Sequence, residues 1–181
     1  MKKYIILSLV LLSYSLTYAQ SNKLSGRFGF GLTSSYNSEL RPLRIIPSVT
    51  YKAGKSQFEA GFGFNPFILM EQKILSGDLT YKYFPNGTAK KFSLYLLTRF
   101  SYIHDQRETY YPSTYNFLFL NGGYGIEIKA SKNVSLGTNM TAGVLTFSKK
   151  SEIPYEAFAE QGFFDDLGYN LALQFNIGYR F

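Results

Sequence analysis

The last fifteen residues, 167–181, constrain the fold more than any other part of the chain. Leu167, Tyr169, Leu171, Leu173, Phe175, Ile177, Tyr179 and Phe181 occupy every second position without a break. Between them stand Gly168, Asn170, Ala172, Gln174, Asn176, Gly178 and Arg180. Successive side chains of a strand point to opposite faces. The segment therefore has one apolar, aromatic-rich face and one small or polar face. A soluble sheet would bury the first and wet the second. An apolar face this long and regular instead fits a strand with lipid on one side and a polar lumen on the other.

The front of the chain bears on where such a strand would be used. Lys2 and Lys3 precede an apolar stretch, Tyr4 to Leu12, which loosens into Ser13-Tyr14-Ser15 and ends Thr17-Tyr18-Ala19-Gln20. A charged start, a short apolar middle and a small-x-small end are the parts of a secretory signal peptide. The apolar run is too short to span a bilayer, which takes about 20 residues. The expectation is a signal peptide over 1–19, cleaved after Ala19, and a single barrel domain over 20–181. The chain has no cysteine, so lipid attachment at a cysteine, disulfides and thiolate metal sites are all excluded.

Composition agrees with strands rather than helices in the membrane. There are 16 Tyr, 17 Phe and 16 Gly, yet the mean hydropathy is slightly negative. Barrels show apolar residues only at alternate positions, which keeps their average hydropathy moderate. Without Lys2 and Lys3 the formal charge of +7 falls to about +5. The basic residues are scattered singly, with no basic helix or cluster, so nucleic acid is not an expected partner.

Eight strands are legible. They run near Leu24–Tyr36, Leu43–Ala53, Phe58–Phe64, Ser76–Phe84, Phe92–Ile103, Tyr115–Lys129, Val134–Phe147 and Leu167–Phe181. The seventh has the least clear phase. Turn chemistry at Gly54-Lys55-Ser56, Pro85-Asn86-Gly87 and Ala130 to Asn133 marks three short connections. The connections at 37–41, 66–75, 104–114 and 148–166 are longer. Alternation of short turns with long loops is the habit of outer-membrane barrels, with the short turns in the periplasm. The predicted fold class is all-β, an eight-stranded antiparallel up-and-down transmembrane β-barrel with both termini in the periplasm.

With its signal peptide and the run Leu171-x-Leu173-x-Phe175-x-Ile177-x-Tyr179-x-Phe181, the chain resembles the small outer-membrane β-barrels of Gram-negative bacteria. The barrels of OmpA and OmpX are the familiar type. The Ala19-Gln20 junction and Tyr-rich strands are similar to barrels common in Bacteroidota. The resemblance implies a place in the bacterial outer membrane, as part of the cell envelope. It implies that Phe175, Ile177, Tyr179 and Phe181 serve as the recognition signal for the barrel-assembly machinery. It does not imply an activity, because such barrels host adhesins, enzymes, narrow porin-like channels and plugs alike.

Three groups of residues are candidates for function. Arg27, Arg44, Glu59, Asp78, Lys82, Arg99, Glu127 and Arg180 fall on the inward phase. They could line a pore, but eight strands leave an interior just wide enough for side chains. Buried charges must then pair, so an internal charge network is the expectation, with Arg27, Arg99 and Arg180 each reaching Glu59, Asp78 or Glu127. The second group is the loop residues Tyr110, Tyr111, Tyr155, Phe158, Phe163 and Phe164. They could dock an envelope protein or a glycan, or Ile153, Phe158 and Phe164 could fold over the mouth as a lid. The third is His104, the sole histidine, beside Asp105. The deacylases of this fold carry His-x-Ser on a strand, whereas His104-Asp105-Gln106 departs from it.

The expected role is therefore structural or interactive, through the outer loops, with outer-membrane lipid as surroundings. No enzymatic activity, cofactor or metal is expected. The alternatives are a narrow channel for small solutes and a lipid A-modifying enzyme.

Overall fold

The computed structural model describes residues 26–40, 43–66, 72–88, 90–108, 112–151 and 160–181. The predicted signal peptide and the loop residues Tyr110, Tyr111, Tyr155 and Phe158 lie outside them.

The strands are β1 (Arg27–Asn37), β2 (Arg44–Ala53), β3 (Ser56–Phe64), β4 (Gln72–Tyr83), β5 (Phe92–Arg107), β6 (Ser113–Lys129), β7 (Val134–Ser151) and β8 (Leu167–Arg180). Each pairs with its sequence neighbours, and β1 pairs antiparallel with β8, so the sheet closes on itself. Closure leaves no unpaired edge, the condition for a sheet in hydrocarbon. The alternation read from the sequence sets the faces. Along β8, Tyr169 through Phe181 are exposed at every second position, while Asn170, Ala172 and Gln174 are buried.

The short turns lie together at one end. Gly54, in the β2–β3 turn, and Gly87, in the β4–β5 connection, both have positive φ, a backbone state that glycine adopts without steric cost. Ser131 Oγ accepts from the backbone N–H groups of Asn133 and Val134 and fixes the β6–β7 turn. Just above the turns, an outward belt of aromatic side chains includes Phe28, Tyr51, Phe58, Tyr81, Tyr179 and Phe181. Neighbouring rings touch: Phe28 and Tyr51 have centroids 4.9 Å apart, Phe58 and Tyr81 5.0 Å. Such a girdle fits the boundary of a bilayer, where one side of the ring is apolar and the other wet.

The opposite end differs from the sequence reading. β4 starts at Gln72 rather than Ser76, β5 runs to Arg107 rather than Ile103, and β7 to Ser151 rather than Phe147. β1 to β3 have 9 to 11 residues, about what a tilted strand needs to cross a bilayer. β5, β6 and β7 have 16, 17 and 18. These three strands rise beyond the apolar band as a wall at the long-loop end. On its outer face the pattern turns polar. His104 Nδ1 lies 2.8 Å from Asn116 Oδ1, Tyr102 Oη donates to the same oxygen at 3.0 Å, and Asn116 Nδ2 to Ser148 Oγ at 3.4 Å.

A closed barrel with every edge paired resists detergent. Unheated protein is expected to migrate differently from boiled protein in SDS gels. Identical migration of the two samples would contradict closure.

Candidate functional site: the barrel lumen

The inward phase carries the charged residues, and strand register decides which of them meet. On the β3–β4–β5 side, Glu59 pairs in register with Thr80, and Thr80 with Arg99. Lys82, one inward position along, reaches Glu59 at 2.7 Å. Gln57 Nε2 donates to the same carboxylate at 2.6 Å. Asp78 is nearly sealed. It accepts from Ser76 and Ser101 and faces Arg44 Nη1 at 3.5 Å.

Arg180 is the longest reach. Its strand, β8, pairs only with β7 and β1. Its Nη2 nevertheless donates to Glu127 Oε1 and Oε2 of β6, at 2.8 and 2.7 Å, and to Gln57 Oε1 of β3 at 3.1 Å. The side chain therefore reaches into the lumen and ties together strands that share no ladder. A void of about 20 Å³ remains beside it, between Gln57, Glu59, Lys82, Tyr95, Glu127 and Arg180. A single water needs about this much room.

Two of the eight inward charges depart from expectation. Arg27 is exposed at the rim of β1 and makes none of the interior ion pairs. It is the first residue of its strand, below the level at which side chains enclose the lumen. Arg99 is buried but reaches no carboxylate within ion-pair distance. Its Nε donates to Thr80 Oγ1 at 2.8 Å, because Asp78 is taken by Arg44 and Glu59 by Lys82.

The lumen also holds charged residues beyond those eight. Lys52 is inward and buried, its ammonium 4.2 Å from the centroid of Phe84. Lys82 stands likewise over Tyr95, at 5.1 Å. These are cation–π contacts, and Phe84, Tyr95 and Leu97 form a small apolar cluster among the charges. The β2 alternation, Thr50 inward and hence Lys52 inward, carried the signal. Toward the long loops an apolar cluster fills part of the lumen. Leu40, Ile74, Ile103, Phe117, Phe119 and Leu145 pack into one buried cluster, with Tyr115 and Phe147 against it. Phe117 lies 5.8 Å from Phe119 and 5.5 Å from Phe147, centroid to centroid. Over this stretch the lumen, expected to be polar, is apolar instead. Above the cluster, the buried Asp105 accepts from Gln72 and from Arg107.

Of the loop aromatics within the described residues, Phe163 is half-buried and Phe164 is 73% exposed. Phe164 therefore does not cover the mouth. It holds a positive φ of 73°, uncommon for a bulky side chain. Its N–H donates to Thr146 Oγ1 at 2.9 Å, and Gly162 N–H to Asp165 at 2.7 Å. Paired backbone hydrogen bonds between Gln161 and Lys149 anchor the turn to β7. His104 lies on the outer face of the wall, hydrogen-bonded to Asn116, while Asp105 points inward. The two are neighbours in sequence on opposite faces of one strand and do not form a joint site. Among the described residues no group of three or more His, Asp or Glu is placed to hold a metal ion. At the end of β8, the outward phase holds Phe175, Ile177, Tyr179 and Phe181 in one exposed row.

No protein-family model matches the chain, and no curated protein matches its sequence. Solved structures do share its fold. The N-terminal β-barrel domain of Pseudomonas aeruginosa OprF superposes with a TM-score of 0.63 at 8% identity, over 86% of this chain and 97% of that one. A major outer membrane protein from Thermus thermophilus gives 0.55 at 13% identity, over 87% of this chain and 100% of that one. At these identities the likeness is one of architecture. The chain has the closed, antiparallel, eight-stranded fold of outer-membrane β-barrels.

Proposed function

We propose that the chain is a non-enzymatic outer-membrane barrel whose lumen is filled and whose role is exercised at its long-loop end, toward the cell exterior. The short-turn end and both termini then face the periplasm. The signal-like front of the chain supports export, and the exposed alternating row ending at Phe181 supports handling by the barrel-assembly machinery. The observation that carries the reading is Arg180, which spans the lumen from β8 to both β3 and β6. An ion moving along the axis would have to displace a guanidinium held by a carboxylate and an amide. It would also have to pass the apolar Phe117–Phe119 cluster, where leaving its hydration is costly.

Display at the outer end is supported by Phe164. An exposed aromatic ring on a hydrogen-bonded turn loses little conformational freedom on binding, which favours its use as an anchor. The partner class is an envelope protein or a glycan.

Purified protein in a planar bilayer is expected to show no stable single-channel current. A reproducible open channel, resized by Arg99→Ala, would make the inward charges a pore lining and overturn the reading. Lipid A profiles of cells with and without the protein are expected to be identical. A mass change between them would instead assign an enzyme.

A further inference from the structure

The charges of the described residues are segregated by depth. Arg27 opens β1, Lys55 lies in the β2–β3 turn, Lys90 and Lys91 end the β4–β5 connection, Lys129 closes β6 and Lys132 lies in the β6–β7 turn. All are at the short-turn end. All but Lys129 are exposed, and none of those five makes an ion pair among the described residues. No Asp or Glu side chain of the described residues shares that rim. Glu59, Asp78 and Glu127 face the lumen, and the others, such as Glu39, Glu108 and Asp165, belong to the long-loop end.

We propose that this basic collar binds the phosphate headgroups of anionic phospholipids in the leaflet surrounding the short-turn end. Three observations favour that partner. The cations sit directly beyond the aromatic belt of Phe28, Tyr51, Phe58, Tyr81 and Tyr179, at the depth where headgroups begin. They are spread over every short turn and the start of β1, so they ring the circumference as a leaflet does. A docked soluble protein would need them on one side. Lysines on flexible stems also reach phosphates without ordering the backbone, and basic groups close to an anionic surface are attracted to it. The inference rests on insertion into a membrane, which the test reads separately.

The experiment is lipid selectivity in reconstituted vesicles of phosphatidylcholine, with spin-labelled phosphatidylglycerol or phosphatidylcholine as probe. The wild-type barrel is expected to enrich the phosphatidylglycerol probe about fivefold in its first lipid shell at low salt. The preference should fall away between about 0.01 M and about 1 M salt. The variant carrying Lys55→Gln, Lys90→Gln, Lys91→Gln and Lys132→Gln should lose it, and Lys73→Gln with Lys150→Gln, at the other end, should keep it. Heat-dependent gel migration of the same vesicles shows whether each variant has inserted. Should the quadruple variant fail to insert, the wild-type salt titration alone decides. Equal association of both probes with inserted wild-type protein, or a preference indifferent to salt or to the four lysines, would overturn the proposal. So would retention of an acidic polysaccharide by the collar without lipid selectivity, which would reassign it to a soluble polyanion.

Discussion

Leu173→Arg is expected to destabilise the barrel by about 2–4 kcal/mol in a bilayer. Leu173 is at the middle of β8, points outward and is 43% exposed. It is paired with Met140 of β7 and Tyr36 of β1, and both are also exposed on the outer face. At that depth an arginine has neither water nor a partner, and the lipid-facing penalty is largest. The same change at Tyr179, in the aromatic belt, should cost only about 0–1 kcal/mol, because headgroups and water are within reach. Asn176→Arg, on the inward phase beside Thr33, should escape the lipid term and lose only what crowding imposes, about 1–3 kcal/mol. Urea titration of protein refolded into vesicles measures all three. The depth dependence is the decisive part. Equal losses at Leu173 and Tyr179, or a loss at Asn176 far above that at Leu173, would mean that the outward face of β8 does not meet lipid.

The lipid-facing half of the structure was legible because solvent wrote it into the sequence. Wherever a strand crosses hydrocarbon, its outward residues are mostly apolar, and period two follows, as in β8 and in Phe58, Ala60, Phe62 and Phe64 of β3. The reading weakened where that requirement lapses. His104, Gln106, Thr114, Asn116 and Lys150 lie on the outward phase of β5, β6 and β7, but above the apolar band. The strands continue there while the alternation stops, so the sequence pattern ends before the strands do. The seventh phase was unclear because Thr138 and Ala142 face out while Leu145 faces in.

The apolar part of the lumen had a signal that alternation obscured. Phe117-Leu118-Phe119-Leu120, Ile45-Ile46 and Val144-Leu145 are apolar on consecutive positions. A strand greasy on both faces is covered on both. Here lipid covers one face and the packed lumen the other. Pairing of the inward charges was less accessible. Inward phase follows from counting, but partner choice depends on register around a closed sheet. Arg180 meets Gln57 and Glu127 only because side chains from β3, β6 and β8 converge in the lumen, and no local pattern encodes that.

Asp78→Asn should cost about 3–5 kcal/mol, the largest loss expected from a near-isosteric change in this molecule. The substitution keeps the volume, so it opens no cavity, and it keeps one acceptor oxygen, for Ser76 or Ser101 but not both, since they donate to different oxygens of Asp78. It removes the negative charge facing Arg44, which is 2% exposed and donates from Nη1 to Ser76 Oγ at 2.8 Å. The guanidinium would be left buried with no anion opposite. A buried pair is worth little against an apolar replacement of both members, yet breaking it from one side is expensive. The double variant Arg44→Met with Asp78→Asn should therefore recover most of the loss, and the cycle isolates the coupling between the two charges. The readout is the same vesicle refolding titration. A neutral Asp78→Asn, or a double variant as unstable as the sum of the single changes, would show that the inward charges do not hold the lumen together by pairing. The closed-lumen reading would then lose its energetic basis.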